Sequence, residues 1–393
     1  MLISNGMRRP DRRLLRRAAA VLAATAAVTL VAACGSSSSS GSGSGSGSSG
    51  SGGSGLSAAD KAGLAQAKSV LAKDETRPTQ ITNTEKITKA IPKGKTVYFI
   101  TCGPGTECTQ EGQIVQQADN LLGWKTVIIN NNGTTQQWKQ DFNQVVQAKP
   151  TAVLYSAIPQ AVFASEVPAL KKNGTFISAC CITDAVDSTT GIGYAIGTPS
   201  QVVPIAGAQA AFVAADSGDT GQSLFVNIPD YEILNIAKAD YQKAMSTYCP
   251  TCKVSVLNIA LSNVGTSTST VVSYLRAHPS VKYVTASTDQ LTVGLSAALK
   301  AAGLTDVKII GQGATATNLQ YLHSGQQALD VGFDYYEDLY AMVNSVVQHV
   351  VGMNVQPSVS APLWVLTPTN APTATGAFPM VVDYKQQYQA LWK

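Results

Sequence analysis

The chain has little charge and little histidine. Asp, Glu, Lys and Arg make up 13% of its 393 residues, and only three residues are His. His278, His323 and His349 are scattered without zinc-ligand spacing, so no metal or cofactor is expected. A Gly-x-Ser-x-Gly nucleophile elbow is absent. Gly94-Lys95-Thr96 imitates the end of a phosphate loop, but position 89 is Lys rather than the required Gly, and the segment opens a strand. Carboxylates are sparse and unpaired along the chain, poor material for glycoside hydrolysis. These absences argue against an enzyme. A long apolar run is also missing: the longest, 18–33, has sixteen residues, where a membrane-spanning helix needs about 20.

What charge there is sits unevenly. The formal charge of +4 is misleading, because six arginines (Arg8, Arg9, Arg12, Arg13, Arg16, Arg17) and one acid, Asp11, lie in the first 17 residues. Of 28 basic residues, 22 remain beyond that cluster; of 24 acidic residues, 23 remain. A body with a charge of −1 has no reason to seek phosphate backbones, so nucleic acid is excluded as a partner.

The basic cluster, the apolar stretch and the ending Val31-Ala32-Ala33-Cys34 occur in the order of a signal peptide, and the ending resembles a bacterial lipobox. Residues 1–33 are expected to be a lipoprotein signal and Cys34 the lipidated residue. Residues 35–55 are only Gly and Ser, a flexible tether of roughly 25 Å mean reach. Ordered structure is expected from 56, with a helix (Leu64, Ala67, Val70 and Leu71 at helical spacing) and a connector to residue 92.

From residue 95 short apolar strands alternate with helical patterns. Strands are expected at 95–100, 125–130, 152–158, 175–181, 223–228, 253–258, 281–287, 307–311 and 328–333. Their starts are mostly 20–31 residues apart, the length of a strand, a crossover helix and two loops. Val/Ile runs without clean alternation indicate parallel strands buried on both faces. The wider gap between 181 and 223 holds a Gly-rich extended stretch, 191–197, and a helix opening at Thr198-Pro199. The expected fold is therefore α/β: two similar three-layer lobes with parallel sheets, joined by a multi-crossing hinge.

Four stretches carry a family resemblance: KTVYFI from Lys95, LGWKTV from Leu122, AAGL from Ala301 before VKIIG from Val307, and VKYVTASTD ending at Asp289. With the lipobox and tether, they resemble the type I periplasmic binding proteins, in the sugar-binding branch that serves ABC importers. The resemblance covers 93–393. It implies lobe 1 over 93–198 plus 334–362, lobe 2 over 199–333 plus 363–393, and a cleft between them that closes on a small solute. It also implies a monomer lipid-anchored to the outer face of the bacterial cell membrane, delivering its ligand to an ABC permease. A sensory lipoprotein, a binder of a non-sugar solute and an exported hydrolase are the alternatives.

Ligands of open α/β sheets lie beyond the carboxyl ends of the strands. Candidate ligand residues are thus Thr101, Cys102, Gly103, Ser156, Ala157, Cys180 and Cys181 in the first lobe. In the second they are Asn227, Asp230, Asp289 and Gln312, with Phe333 and Tyr335 at a later crossing. Two departures from the family stand out: Gly311-Gln312-Gly313 where sugar binders usually carry an aspartate, and Phe333 where they place a polar amide. Both point to a pocket with fewer carboxylates and more aromatic surface.

Asp230, Asp289 and Asp334 each precede a helical pattern, and helix capping is a sufficient role for all three. Trp124 and Trp138 fall at core positions. Beyond Cys34, six cysteines remain, an even number in an exported chain. Locality favours Cys102–Cys108 and Cys249–Cys252, with a vicinal Cys180–Cys181 as the third pair. Alternatively Cys180 and Cys181 are free, or one of them pairs with Cys102. A vicinal pair would form a rigid apolar plate for a ligand ring. Cys249-Pro-Thr-Cys252 imitates a redox motif but follows a helix instead of opening one, which favours a structural clip.

Overall fold

The computed structural model describes residues 56–218, 220–374 and 378–393. The expected leader over 1–33, the expected lipidation at Cys34 and the expected tether over 35–55 lie outside the described residues. Among the described residues no helix is long and apolar enough to cross a membrane.

Helix α1 (Ala58–Lys73) begins with a reciprocal cap: Asp60 N donates to Ser57 Oγ at 3.1 Å, and Ser57 N to Asp60 Oδ2 at 2.9 Å. In the first lobe, β1 (Thr96–Ile100), α2 (Thr106–Leu122), β2 (Lys125–Ile129), α3 (Thr135–Ala148) and β3 (Ala152–Ser156) follow. The lobe continues with α4 (Val167–Lys172), β4 (Phe176–Cys180) and β5 (Tyr194–Ile196). In the second, α5 (Pro199–Ser217), β6 (Gln222–Asn227), α6 (Glu232–Tyr248), β7 (Lys253–Asn258) and α7 (Ser267–Ala277) come first. Next are β8 (Tyr283–Ala286), α8 (Leu295–Ala301), β9 (Lys308–Gly313), α9 (Ala316–His323) and β10 (Leu329–Gly332). The chain ends with α10 (Tyr335–Val350), β11 (Trp364–Leu366) and α11 (Tyr384–Leu391).

The first sheet has the order β2-β1-β3-β4-β5, all parallel. The second reads β7-β6-β8-β9-β10, also parallel, with β11 added antiparallel at its far edge. The two lobes thus repeat one topology. Central strands are covered on both faces: every residue of β3 and of β8 is buried, whereas edge strand β7 has exposed ends. That contrast explains why the strand signal was continuous rather than alternating.

All nine expected strands are present, with ends shifted by up to two residues. Two more were not expected as strands: β5, read only as an extended Gly-rich stretch, and β11. Each has three residues, too few for a periodic signal. Trp124 and Trp138 are buried.

The chain crosses between lobes at 197–198, at 333–334, and between the Ala195–Ser358 bridge and β11. Helix α1 packs on α5 and α6, so the connector after it leads from the second lobe back to β1. Gly63 permits that docking, since a Cβ there would meet Tyr248 O at 2.6 Å. The C-terminal segment departs from the expected division. β11 joins the second sheet, but α11 packs on α10, because Tyr384 and Tyr388 meet the Tyr340 ring at 4.9 and 5.4 Å between centroids. Helix α10 itself lies on β4, β5 and α2.

Candidate functional site

In each sheet the strand order reverses at the first strand, and ligands of α/β sheets gather at that point. Residues at and beyond the ends of these strands meet across one cavity: Cys102 after β1, Ser156 closing β3 and Ala157 after it, opposite Tyr231 after β6 and Thr288 after β8. Cys181 follows β4, Gln312 lies near the end of β9, and Phe333 and Tyr335 stand at the crossing after β10. Together with helix α2 they surround about 520 Å³ of space free of protein atoms, part of it open to solvent.

Backbone conformation marks the same rim. Ala157, Cys181 and Ala314 have φ of 56°, 65° and 52°, the left-handed region, at the ends of β3, β4 and β9. Each costs on the order of 1 kcal/mol relative to ordinary backbone, and such strain collects at binding sites. Cys180 and Cys181 form a vicinal disulfide, and Cys181 presents its side to the cavity. Cys102–Cys108 ties the end of β1 to the first turn of α2. Cys249–Cys252 closes the end of α6, outside the cavity.

Helix α2 carries the site's charge. Glu107 and Glu111 are four residues apart, hence on one helix face, and both line the cavity. They are 7% and 2% exposed. Glu107 Oε2 accepts from Thr288 Oγ1 at 2.9 Å, Tyr335 OH at 3.1 Å and Gln290 Nε2 at 3.3 Å. Burial raises its pKa, and those three donors restrain the rise. Glu111 Oε1 accepts from Ser156 Oγ at 3.0 Å. Burial raises the Glu111 pKa to about 8, the Ser156 bond opposes this, and the neighbouring Glu107 charge adds to it. The matching helix of the second lobe, α6, offers Ile233 and Leu234 instead. One wall is acidic and the other aliphatic.

Seven of the thirteen expected ligand residues line the cavity: Cys102, Ser156, Ala157, Cys181, Gln312, Phe333 and Tyr335. Six do not, each because local structure uses it. Thr101 is held by its backbone bond to Ile129 O and by Asn131 Nδ2, which donates to its carbonyl and hydroxyl. Gly103 faces Gly133 and Leu261. Cys180 is fully buried behind Cys181, its Sγ 4.0 Å from Asp338 Oδ2. Asn227 donates to Asn235 Oδ1 at 2.9 Å. Asp230 does not cap α6; its Oδ2 accepts from Leu261 N at 2.9 Å.

Asp289 is the main correction. It lies behind the wall, where it accepts from Gln312 N at 3.1 Å and Thr315 N at 2.9 Å, so it shapes the β9 loop instead of touching the cavity. Asp330 holds the same loop by accepting from Ala314 N at 3.0 Å. Burial pushes the pKa values of both carboxyls upward; the Asp330 charge adds to the rise at Asp289, whereas the hydrogen bond with Asp289 restrains the rise at Asp330. Asp334 caps α10 as expected, accepting from Tyr336 N and Glu337 N at 3.1 Å each.

The sequence reading of sparse, unpaired carboxylates also needs correcting, since Glu107 and Glu111 are a pair. Both lie within helix α2 and not at a strand end. The available signal was their i, i+4 spacing on the helix directly after β1. Val202, Ile233, Leu234 and Gln290 were missed as well, while Tyr231 and Thr288 stand within or beside loops that were singled out.

The fold and cavity together define a two-lobed α/β binding protein with its site between hinged lobes. The family model described as "Periplasmic binding protein domain" matches residues 97–354, and the chain belongs to that family. Solved structures share the fold. One is an ABC transporter solute-binding protein from Agrobacterium vitis with bound allitol: 18% identity, TM-score 0.63, covering 71% of this chain and 97% of that one. Another is a solute-binding protein from Burkholderia graminis in complex with D-arabinose: 15% identity, TM-score 0.65, covering 74% and 100%. A third is the 5-methylthioribose transporter solute-binding protein from Thermotoga lettingae: 15% identity, TM-score 0.64, covering 73% and 89%. No curated protein matches the sequence.

Proposed function

We propose that this chain is the extracytoplasmic solute-binding component of an ABC importer. It captures a small hydroxylated solute, a carbohydrate or polyol, between its lobes and delivers it to a permease in the cytoplasmic membrane. The observation that carries this reading is the cavity at the switch points of both sheets, bridged by Glu107 of the first lobe to Thr288 and Gln290 of the second. A solute touching both lobes stabilises the closed form over the open one. Serine, threonine, glutamine and carboxylate groups on the wall suit hydroxyls, and Tyr231, Phe333 and Tyr335 suit the faces of a ring. The pentose, alditol and thio-sugar bound by proteins of the same fold are consistent with it.

Lipid attachment at Cys34 belongs to the same proposal and rests on the leader and tether alone. The absence of catalysis and action as a monomer belong to the same proposal. A thermal-shift screen of pentoses, hexoses, polyols, amino acids and aromatic acids tests the ligand class. A true ligand at a thousand times its Kd adds about 4 kcal/mol of stability. If amino acids or aromatic acids alone raise the melting temperature, the carbohydrate reading fails. Cys34→Ala tests the anchor: the variant should appear in the culture medium, and retention in the membrane fraction would remove the lipid from the account.

A further inference from the structure

The cavity's charge is one-sided. Its ionisable wall groups are Glu107, Glu111, Tyr231 and Tyr335, and none of the described residues lining it is Lys, Arg or His. Behind the wall the acidity continues. Asp289 and Asp330 lie under the Gln312 loop and Asp338 lies by the vicinal disulfide, each fully buried. The ion pairs found among the described residues, Lys282–Asp306 and Lys308–Asp216, have partly exposed side chains and involve none of these acids.

Two acceptor positions on this wall have hydrogen-bonding capacity to spare. Glu107 Oε2 already accepts three donors, and Glu111 Oε1 accepts from Ser156. The nearest partner of Glu111 Oε2 is Cys102 Sγ at 3.8 Å, and a disulfide sulfur carries no proton to donate. Gln312 Oε1 has no partner at all, on a wall side chain only 6% exposed. Glu111 Oε2 and Gln312 Oε1 can both accept. The aromatic faces of Tyr231, Phe333 and Tyr335 complete a surface that attracts cations. Hydroxyl donors could fill the acceptors, but none of the described wall residues offers a positive charge to Glu107 or to an ionised Glu111 on the same helix face.

We propose that the solute is a small organic cation, a sugar or polyol bearing a protonated amine, whose ammonium group is held by Glu111 and Gln312. The sugar portion rests on the function proposed above; the ammonium rests on the wall itself. The groups around Glu111 are Glu107 on its own helix, Ser156 at the end of β3, Cys102 after β1, Tyr231 before α6, and Tyr335 and Asp338 of α10. All are acidic or neutral. With its pKa raised to about 8, Glu111 is protonated in the free protein at neutral pH, and the ammonium displaces that proton. Binding therefore releases about one proton and tightens as pH rises from about 6 to 7, by up to about tenfold.

Isothermal titration at pH 7, in two buffers of different ionisation enthalpy, tests this. The probes are glucosamine, galactosamine and 6-amino-6-deoxyglucose, their N-acetyl and hydroxyl counterparts, putrescine and choline. The expected result is an amino sugar binding at least about tenfold tighter than its neutral counterparts, with proton release, and Glu111→Gln removing that preference. Circular dichroism and thermal melting confirm that Glu111→Gln is folded. Neutral sugars binding as tightly as their amines overturn the cation and leave the carbohydrate reading standing. Putrescine or choline binding alone supports the cation and overturns the sugar. Binding by no amine overturns the inference.

Discussion

Thr288 Oγ1 of the second lobe donates a 2.9 Å hydrogen bond to Glu107 Oε2 of the first. This buried bond joins the end of β8 to the first turn of α2, and so couples the separation of the lobes to one carboxylate. Thr288→Val keeps the shape and removes the donor. The remaining donors, Gln290 and Tyr335, still serve Glu107, so the expected cost of closure is about 0.5–1.5 kcal/mol. Small-angle scattering should show a larger radius of gyration for the ligand-free variant. An unchanged radius would mean that other contacts set closure.

Glu111 makes the ligand-free protein sensitive to pH. An exposed glutamate titrates at 4.5 and Glu111 at about 8, so between these values the folded chain holds a proton that the unfolded chain releases. The favourable contribution is complete below about pH 4.5 and is lost as pH rises towards 8, at up to about 1.4 kcal/mol per unit. Urea denaturation at pH 5, 6.5 and 8 should show this decline relative to Glu111→Gln, which has no proton to lose. Parallel stability curves would contradict the buried, protonated carboxyl.

Gly311 tests the support behind the wall. A Cβ at this position would stand 2.5 Å from Asp289 Oδ1 and 2.6 Å from Asp330 Oδ2. Gly311→Ala should destabilise by about 1–3 kcal/mol through overpacking. It should also weaken binding of whichever screened solute is the ligand, because Asp289 holds the Gln312 amide. Denaturation and calorimetry measure the two effects. Loss of stability with unchanged affinity would separate the carboxylate pair from the site.

Cys249–Cys252 predicts the opposite division. The pair closes a short loop at the end of α6 and does not line the cavity. Replacing both by Ser should cost about 2 kcal/mol of stability and leave affinity unchanged. A large loss of affinity would assign the clip a role in the site.

The strands were legible because buried parallel strands must be apolar along their whole length, as β3 and β8 are. The cavity was legible in part, because ligands meet the carboxyl ends of such strands and Ser156, Cys181 and Gln312 stand there. Asp289 was misplaced for a specific reason. A residue after a strand can turn towards the ligand or into the loop beside it, and the open amides of Gln312 and Thr315 drew it inward. Glu107 and Glu111 were passed over because a helix carries acids on its solvent face far more often than on a buried one.

By itself the sequence determined the cluster of six arginines in the first 17 residues, the Gly/Ser segment, the alternation of strands and helices and the near-neutral body, since each depends on local composition or spacing. The tertiary structure decided which acids matter. Docking α2 over the ends of β1 and β3 buries Glu107 and Glu111 where no described wall residue is basic, while the same docking of α6 buries Ile233 and Leu234. Charge along the chain is a count. Its effect depends on how far water is excluded and which groups face one another, and that is settled only when the two lobes meet.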